Sequence, residues 1–251
     1  MTARARRRAP AAVAAVVAGA LAASLAACAA PSPDSPTPQE AIVPSSPSGP
    51  SSADTGPASA ALLRAVGRGD AEAVAAALRD GADPDARDGD DRPALVTATR
   101  QGAVDVVRAL LEAGADPDAK DAMADSAFLY AGAEGLDDIL RLTIAHGADV
   151  TSTNRYGGTA LIPASEHGHV STVRLLLDAG VPVDHVNDLA WTALHEAIVL
   201  GDGSADQVAV VRLLLEAGAD PAVRDGQGVL PRDLAGSRGH DAIVAELDRA
   251  R

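Results

Sequence analysis

Six histidines, one cysteine and 35 acidic side chains are the groups in this chain that could ligate a metal, attack a carbonyl or carry a proton. His167-Gly168-His169 is the densest imidazole pair. The acidic run Asp83, Asp85, Asp88, Asp90 and Asp91 is spaced like a set of calcium ligands. An EF-type loop also needs Gly in the sixth place and Glu in the twelfth, and counted from Asp83 those places hold Asp88 and Ala94. Asp202 to Asp206 could hold a cation loosely, although an inserted surface loop accounts for it more simply. No nucleophile elbow, phosphate-cradling glycine loop or His-Glu metal helix occurs. One cysteine excludes a disulfide framework and every multi-thiolate zinc or iron-sulfur centre. The expectation is a non-catalytic chain with no cofactor and no metal.

The cysteine has another chemistry open to it. Leu25-Ala26-Ala27-Cys28 resembles a bacterial lipobox, in which small residues let a peptidase approach the backbone and the thiol takes up a diacylglyceryl group. Arg4, Arg6, Arg7 and Arg8 form a basic head before it, and the uncharged Ala, Val and Leu run over 9–27 completes a signal-peptide pattern. That run is near the length of a membrane span, but its Ala-rich composition makes insertion marginal, so cleavage is expected rather than permanent spanning. An incidental cysteine in a secretory leader is the alternative. Lipidation at Cys28 by two acyl chains and an acylated amino terminus would hold the protein on the outer side of the cytoplasmic membrane, since one chain alone anchors only marginally. Secretion is the alternative location. The expected organisation is a lipoprotein signal peptide over 1–27, a tether over 28–57 and a folded domain over 58–251.

Composition sets the remaining bounds. The tether region holds eight prolines and seven serines and almost no large apolar residue, too little to offset the entropy of ordering, so it is expected to be disordered. Across all 251 residues, 47% are hydrophobic but only 2% aromatic, which disfavours sandwiches and barrels and favours helices. Loss of the leader removes four arginines and no acid. Seventeen basic residues then face 35 acidic ones, and the net charge moves from −14 to −18. Such a surface disfavours nucleic acid, whose affinity comes from cations neutralising phosphates.

Beyond the tether the chain repeats. Gly81-Ala82-Asp83 recurs as Gly114-Ala115-Asp116, Gly147-Ala148-Asp149, Gly180-Val181-Pro182 and Gly218-Ala219-Asp220, in steps of 33, 33, 33 and 38. The five extra residues of the last step fall near 202–206, between two helices. Within each unit Ser126, Thr159 and Thr192 are placed as N-caps of a short first helix that runs to Gly135, Gly168 and Gly201. The second helix is too densely apolar to stand exposed (Val106, Val107, Leu110 and Leu111; Val173, Leu175, Leu176 and Leu177), so it needs neighbours. Gly114, Gly147, Gly180 and Gly218 then end it in the left-handed conformation, and Pro84, Pro117, Pro182 and Pro221 prevent its continuation. An extended, turn-rich finger remains.

These units resemble the ankyrin-repeat family. Thr192-Ala193-Leu194-His195-Glu196-Ala197 is similar to that family's Thr-Pro-Leu-His-x-Ala signature, with Thr159 to Ala164 and Pro93 to Ala98 as weaker copies. Extending the phase gives six units, the first near Ala58 to Arg87 and the last near Asp225 to Arg251. The resemblance implies an all-α solenoid of helix-turn-helix units with hairpin-like fingers, and a concave face lined by fingers and first helices. It also explains the histidines: His195 is the signature residue that bonds backbone within the turn, and His169 and His240 follow the inter-helix glycine, where the family commonly has His.

The resemblance further implies a protein partner. The larger apolar finger residues Met123, Tyr156, Leu189 and Trp191 fall in the third to fifth units, and Tyr130 occupies the first-helix slot that Glu196 takes two units later. Tyr130, Tyr156 and Trp191 are therefore expected to form the partner-binding surface, with Arg155, Glu166, His167 and Glu196 as its polar part. Packing between repeats competes for each aromatic, and Phe128, in a signature Leu place, is read as core. A basic patch on the partner would suit the charge. Some bacterial extracytoplasmic ankyrin proteins of similar layout are associated with oxidative-stress enzymes such as catalases, which makes support of such an enzyme a specific expectation. The chain is read as a monomer, with self-association at the envelope as a structural alternative. A solenoid cupping a small molecule or metal near His167 and Glu196 is the enzyme-like alternative.

Overall fold

Helices in this chain are too short to stand alone and exist because each buries its apolar face on the next. The computed structural model describes residues 56–250; the leader, Cys28 and nearly all of the tether lie outside them. Twelve helices follow in pairs: α1 (Pro57–Gly67) with α2 (Ala71–Arg79), α3 (Ala94–Arg100) with α4 (Val104–Glu112), α5 (Ala127–Ala133) with α6 (Asp137–Ala145), α7 (Leu161–Glu166) with α8 (Val170–Asp178), α9 (Ala193–Val199) with α10 (Ala205–Glu216), and α11 (Pro231–Ser237) with α12 (Asp241–Arg249). First helices pack on first helices and second on second, pair after pair, which is a solenoid of six units. Its core is one stripe of wholly buried side chains, among them Leu62, Leu95, Leu110, Phe128, Leu140, Leu161, Leu176, Leu194, Leu214 and Ile243. Phe128 is thus core, as its place in the repeat predicts.

Polar side chains latch each unit to the next. After α2, α4 and α8 an aspartate accepts from a backbone N–H in the corresponding turn of the following unit: Asp85 from Asp116 (2.8 Å), Asp118 from Asp149 (3.0 Å) and Asp184 from Asp220 (3.1 Å). The Ser59 hydroxyl takes this role for Asp83 (3.0 Å). At the joint between the third and fourth units the latch is missing on both sides. Thr151 stands where the others have aspartate, and it faces Pro182, which has no N–H to give. The degenerate Gly180-Val181-Pro182 turn therefore matches a change one unit earlier.

Two local expectations are corrected. Ser126 caps α5 as predicted, its hydroxyl accepting from the Leu129 N–H, and Thr192 caps α9 together with His195. Thr159 does not cap: its buried hydroxyl has no partner and α7 begins one residue late. Pro163 is the cause. Its missing N–H removes the bond that Tyr130 and Glu196 donate to Ser126 and Thr192 in the sister helices, so the Ile162 N–H bonds the Thr159 carbonyl instead and tightens the turn. The second correction concerns the insertion. Two of its five residues lengthen the loop to 200–204 and three extend α10 to 12 residues against 9 in α8. The left-handed turn moves from Gly201 to Gly203 (φ 72°). Gly201 is instead squeezed, since a Cβ there would run into the Ala197 carbonyl oxygen and the Gln207 amide.

Candidate functional site: the fingers and first helices of the third to fifth units

Each finger is built around one acceptor. Oδ1 of Asp88, Asp121, Asn154, Asn187 and Asp225 takes the N–H groups two and four residues on, for example Tyr156 (2.9 Å) and Gly158 (3.1 Å) at Asn154, and Leu189 and Trp191 (both 3.0 Å) at Asn187. The residue two on is thereby fixed at the tip, facing outward. In the third, fourth and fifth units that residue is Met123, Tyr156 or Leu189, with exposures of 47%, 53% and 57%. The tips are also tied to each other. Asp188 donates its N–H to the Tyr156 carbonyl (3.0 Å), His185 Nε2 lies 2.6 Å from the Gly157 carbonyl oxygen, and Arg155 reaches the Met123 carbonyl while its guanidinium lies over the Tyr156 ring at 4.6 Å.

Behind the tips of the fourth and fifth units lies a cleft of about 270 Å³. Tyr156, Ile162, Pro163, Leu189 and Leu200 form its apolar walls, and Asn154, Asn187, Glu166 and Glu196 its polar lining. Glu196 is only 5% exposed, and Asn187 Nδ2 donates to its Oε1 at 3.0 Å. Burial, and next the charge of Glu166, push the Glu196 carboxyl up to about 7. An aspartate at 187 could not make that bond. In the same slot of the third unit Asp121 instead turns Oδ2 toward Arg92 (3.7 Å) and Arg100 (3.6 Å).

Of the seven residues expected on the binding surface, the cleft brings together Tyr156, Glu166 and Glu196, and Arg155 flanks it. Tyr130 lies outside, half-buried beneath the Arg100 guanidinium at 4.7 Å. Trp191 is also half-buried and does not line the cleft; its backbone closes the finger, its carbonyl accepting from the Asn187 N–H at 2.9 Å. His167 is exposed at the far end of α7, its Nδ1 2.9 Å from the Ala133 carbonyl oxygen and its ring 5.5 Å from that of His169. His169 packs on Gly135, and burial lowers its pKa. His195 is wholly buried, with Nδ1 accepting from the Thr192 N–H, and burial lowers its pKa too. Among the described residues no group of three or more His, Cys, Asp or Glu side chains is arranged to hold a metal. Leu200 and Asn187 were not singled out from sequence. Leu200 had a signal, because it is apolar in the slot where Glu134 and His167 stand.

Helix pairs stacked in register, with hairpin fingers projecting from one edge, define a repeat protein whose variable tips present side chains outward on a constant frame. The pattern of ankyrin repeats (3 copies) matches residues 40–121 and 128–225, and the chain belongs to the ankyrin-repeat family. A 54-residue stretch is 50% identical to an ankyrin repeat protein, YahD, of Escherichia coli (strain K12); the match covers 22% of this chain and 27% of that one, so the chain spans little more than a quarter of that relative. The crystal structure of an ankyrin repeat domain from Acinetobacter baumannii AYE is similar at a TM-score of 0.74 with 50% identity, over 75% of this chain and 96% of that chain. Another ankyrin repeat protein of known structure, EF0377, is similar at 0.74 with 36% identity, over 76% and 98%. Ankyrin repeats are generally protein–protein interaction modules, and the fold is typically non-catalytic.

Proposed function

We propose that this chain is a non-catalytic binding protein whose third to fifth units dock a protein partner. One observation carries the reading. The large apolar side chains that stand exposed among the described residues are Met123, Tyr156, Val186, Leu189 and Leu200, and all lie on the fingers or first-helix ends of those three units. An apolar patch on one side of a stack so acidic elsewhere marks an interaction surface. The cleft behind the tips, about 270 Å³, opens among these side chains and gives the face a recess for a side chain of the partner. A photo-crosslinker at Tyr156 should capture a protein that the same group at Arg174, on second helix α8, does not. Equal recovery from both positions would defeat the reading.

The finer parts rest on sequence. Lipidation at Cys28 would anchor a monomer on the outer side of the bacterial cytoplasmic membrane, with the Pro/Ser-rich stretch holding the array off the bilayer; replacing Cys28 by Ser should move the protein from the membrane to the soluble fraction. Support of an oxidative-stress enzyme is the specific role proposed, and unchanged peroxide sensitivity and catalase activity on deleting the gene would count against it.

A further inference from the structure

The cleft between the fourth and fifth units holds two carboxyl groups, Glu166 and Glu196, among apolar walls, and no Lys, Arg or His lines it. Glu196 is more than nine-tenths buried, yet only one of its oxygens is used by the protein: Asn187 donates to Oε1, and no donor among the described residues reaches Oε2. Of the other buried acids, Asp225 is held by two backbone N–H groups of its own finger, from Gln227 and Val229, and two are paired with cations. Asp121 has Arg92 and Arg100, and Glu246, 8% exposed, has Arg212 at 2.6 Å and Arg249 at 2.8 Å. A buried carboxylate without a cation is costly, and a cation arriving from outside would offset that cost.

We propose that this cleft is a socket for one basic side chain of the protein partner, with the aliphatic stem of a lysine or arginine lying against Tyr156, Leu189, Leu200 and Pro163 and the charged head meeting Glu196 and Glu166. Long basic side chains combine an apolar stem with a charged tip, which is the pairing the walls and floor present. The contacts between fingers, Asp188 to Tyr156 and His185 to Gly157, keep the two walls in place before anything binds, so little ordering is lost on entry. The inference rests on the reading of this face as the docking face and specifies what is docked there.

Saturation-transfer NMR on the full chain, with N-acetyl-lysine methylamide and N-acetyl-arginine methylamide as probes and the norleucine analogue as the uncharged control, tests it. At least one basic probe should bind saturably and the norleucine probe at least about tenfold more weakly, and Glu196→Gln or Glu166→Gln should each weaken the basic probe about tenfold. Leu200→Ser should weaken it as well while leaving the thermal unfolding transition in place. Equal binding of norleucine, indifference to both Glu→Gln variants, or no saturable signal from either basic probe overturns the socket. Tighter binding of free n-butylammonium than of the lysine amide overturns it in favour of a small amine. The Tyr156 crosslink succeeding while the basic probes fail would leave the docking face standing without this socket.

Discussion

Glu196 stores a pH dependence that can be worked out in sign. Its carboxyl titrates near 7 in the fold against about 4.5 unfolded, so folding takes up a proton between those values. The neutral form's contribution to stability is fully present below pH 4.5 and is lost as pH rises through 7. Glu196→Gln keeps the oxygen that accepts from Asn187 and cannot ionise. It should stabilise the protein by about 1–3 kcal/mol above pH 7 and flatten the curve between about pH 4.5 and 7, whereas urea-unfolding profiles of variant and parent running parallel from pH 5 to 8 would refute this. A second residue-scale prediction concerns the finger place three after the acceptor, which is left-handed in Asp91, Ala124 and Ala190 and is Gly in the fourth and last units. Ala190→Gly should raise stability by about 0.5–1 kcal/mol, the relieved strain exceeding the added chain entropy, as thermal unfolding would show. The fingertip row Met123, Tyr156 and Leu189 was legible from the period alone. The state of Glu196 was not, because it depends on Asn187 and Glu166, nine and thirty residues earlier in the chain. Tyr130 and Trp191 stand half-buried outside the cleft, a placement set by neighbours such as Arg100 that the period does not reveal.

Helices and turns are where sequence reading did best, and where it failed the reason was a missing N–H. The repeat fixed six helix pairs, their order and their breaks, since glycine and proline punctuate every unit in register. Thr159 looked like its sisters Ser126 and Thr192, and only Pro163, four residues on, prevents it from capping. The same logic governs the aspartate latches. Asp118→Ala leaves the Asp149 N–H without its acceptor and should cost about 0.5–1.5 kcal/mol. Thr151→Asp alone should gain nothing, because Pro182 has no N–H to offer, while Thr151→Asp with Pro182→Asp should be more stable than the sum of the two single changes by about 1 kcal/mol. Additive unfolding free energies in that cycle would show that the paired departures at 151 and 182 are unrelated.

At the scale of the array, stability is shared between neighbours and the end units keep water from the core. The last pair, α11 and α12, covers α9 and α10. Ending the chain after Asp225 would bare the wholly buried Val210, Val211 and Leu214 and remove the Arg212 partner Glu246. The truncated protein should keep much of its helical circular dichroism yet aggregate, which light scattering would detect. Full solubility at the parent's concentration would mean that α11 and α12 are dispensable.

The absent latch at Thr151 and Pro182 also has a mechanical meaning. Chain stretched from its two ends bears on every joint in series, and at this seam the load falls on side-chain ties, His167 to the Ala133 carbonyl, Arg155 to the Met123 carbonyl and Thr172 to Asp137. Restoring the latch with Thr151→Asp and Pro182→Asp should therefore raise the force at which Met123 is pulled apart from Tyr156 and Leu189, as optical-trap recordings of variant and parent would show.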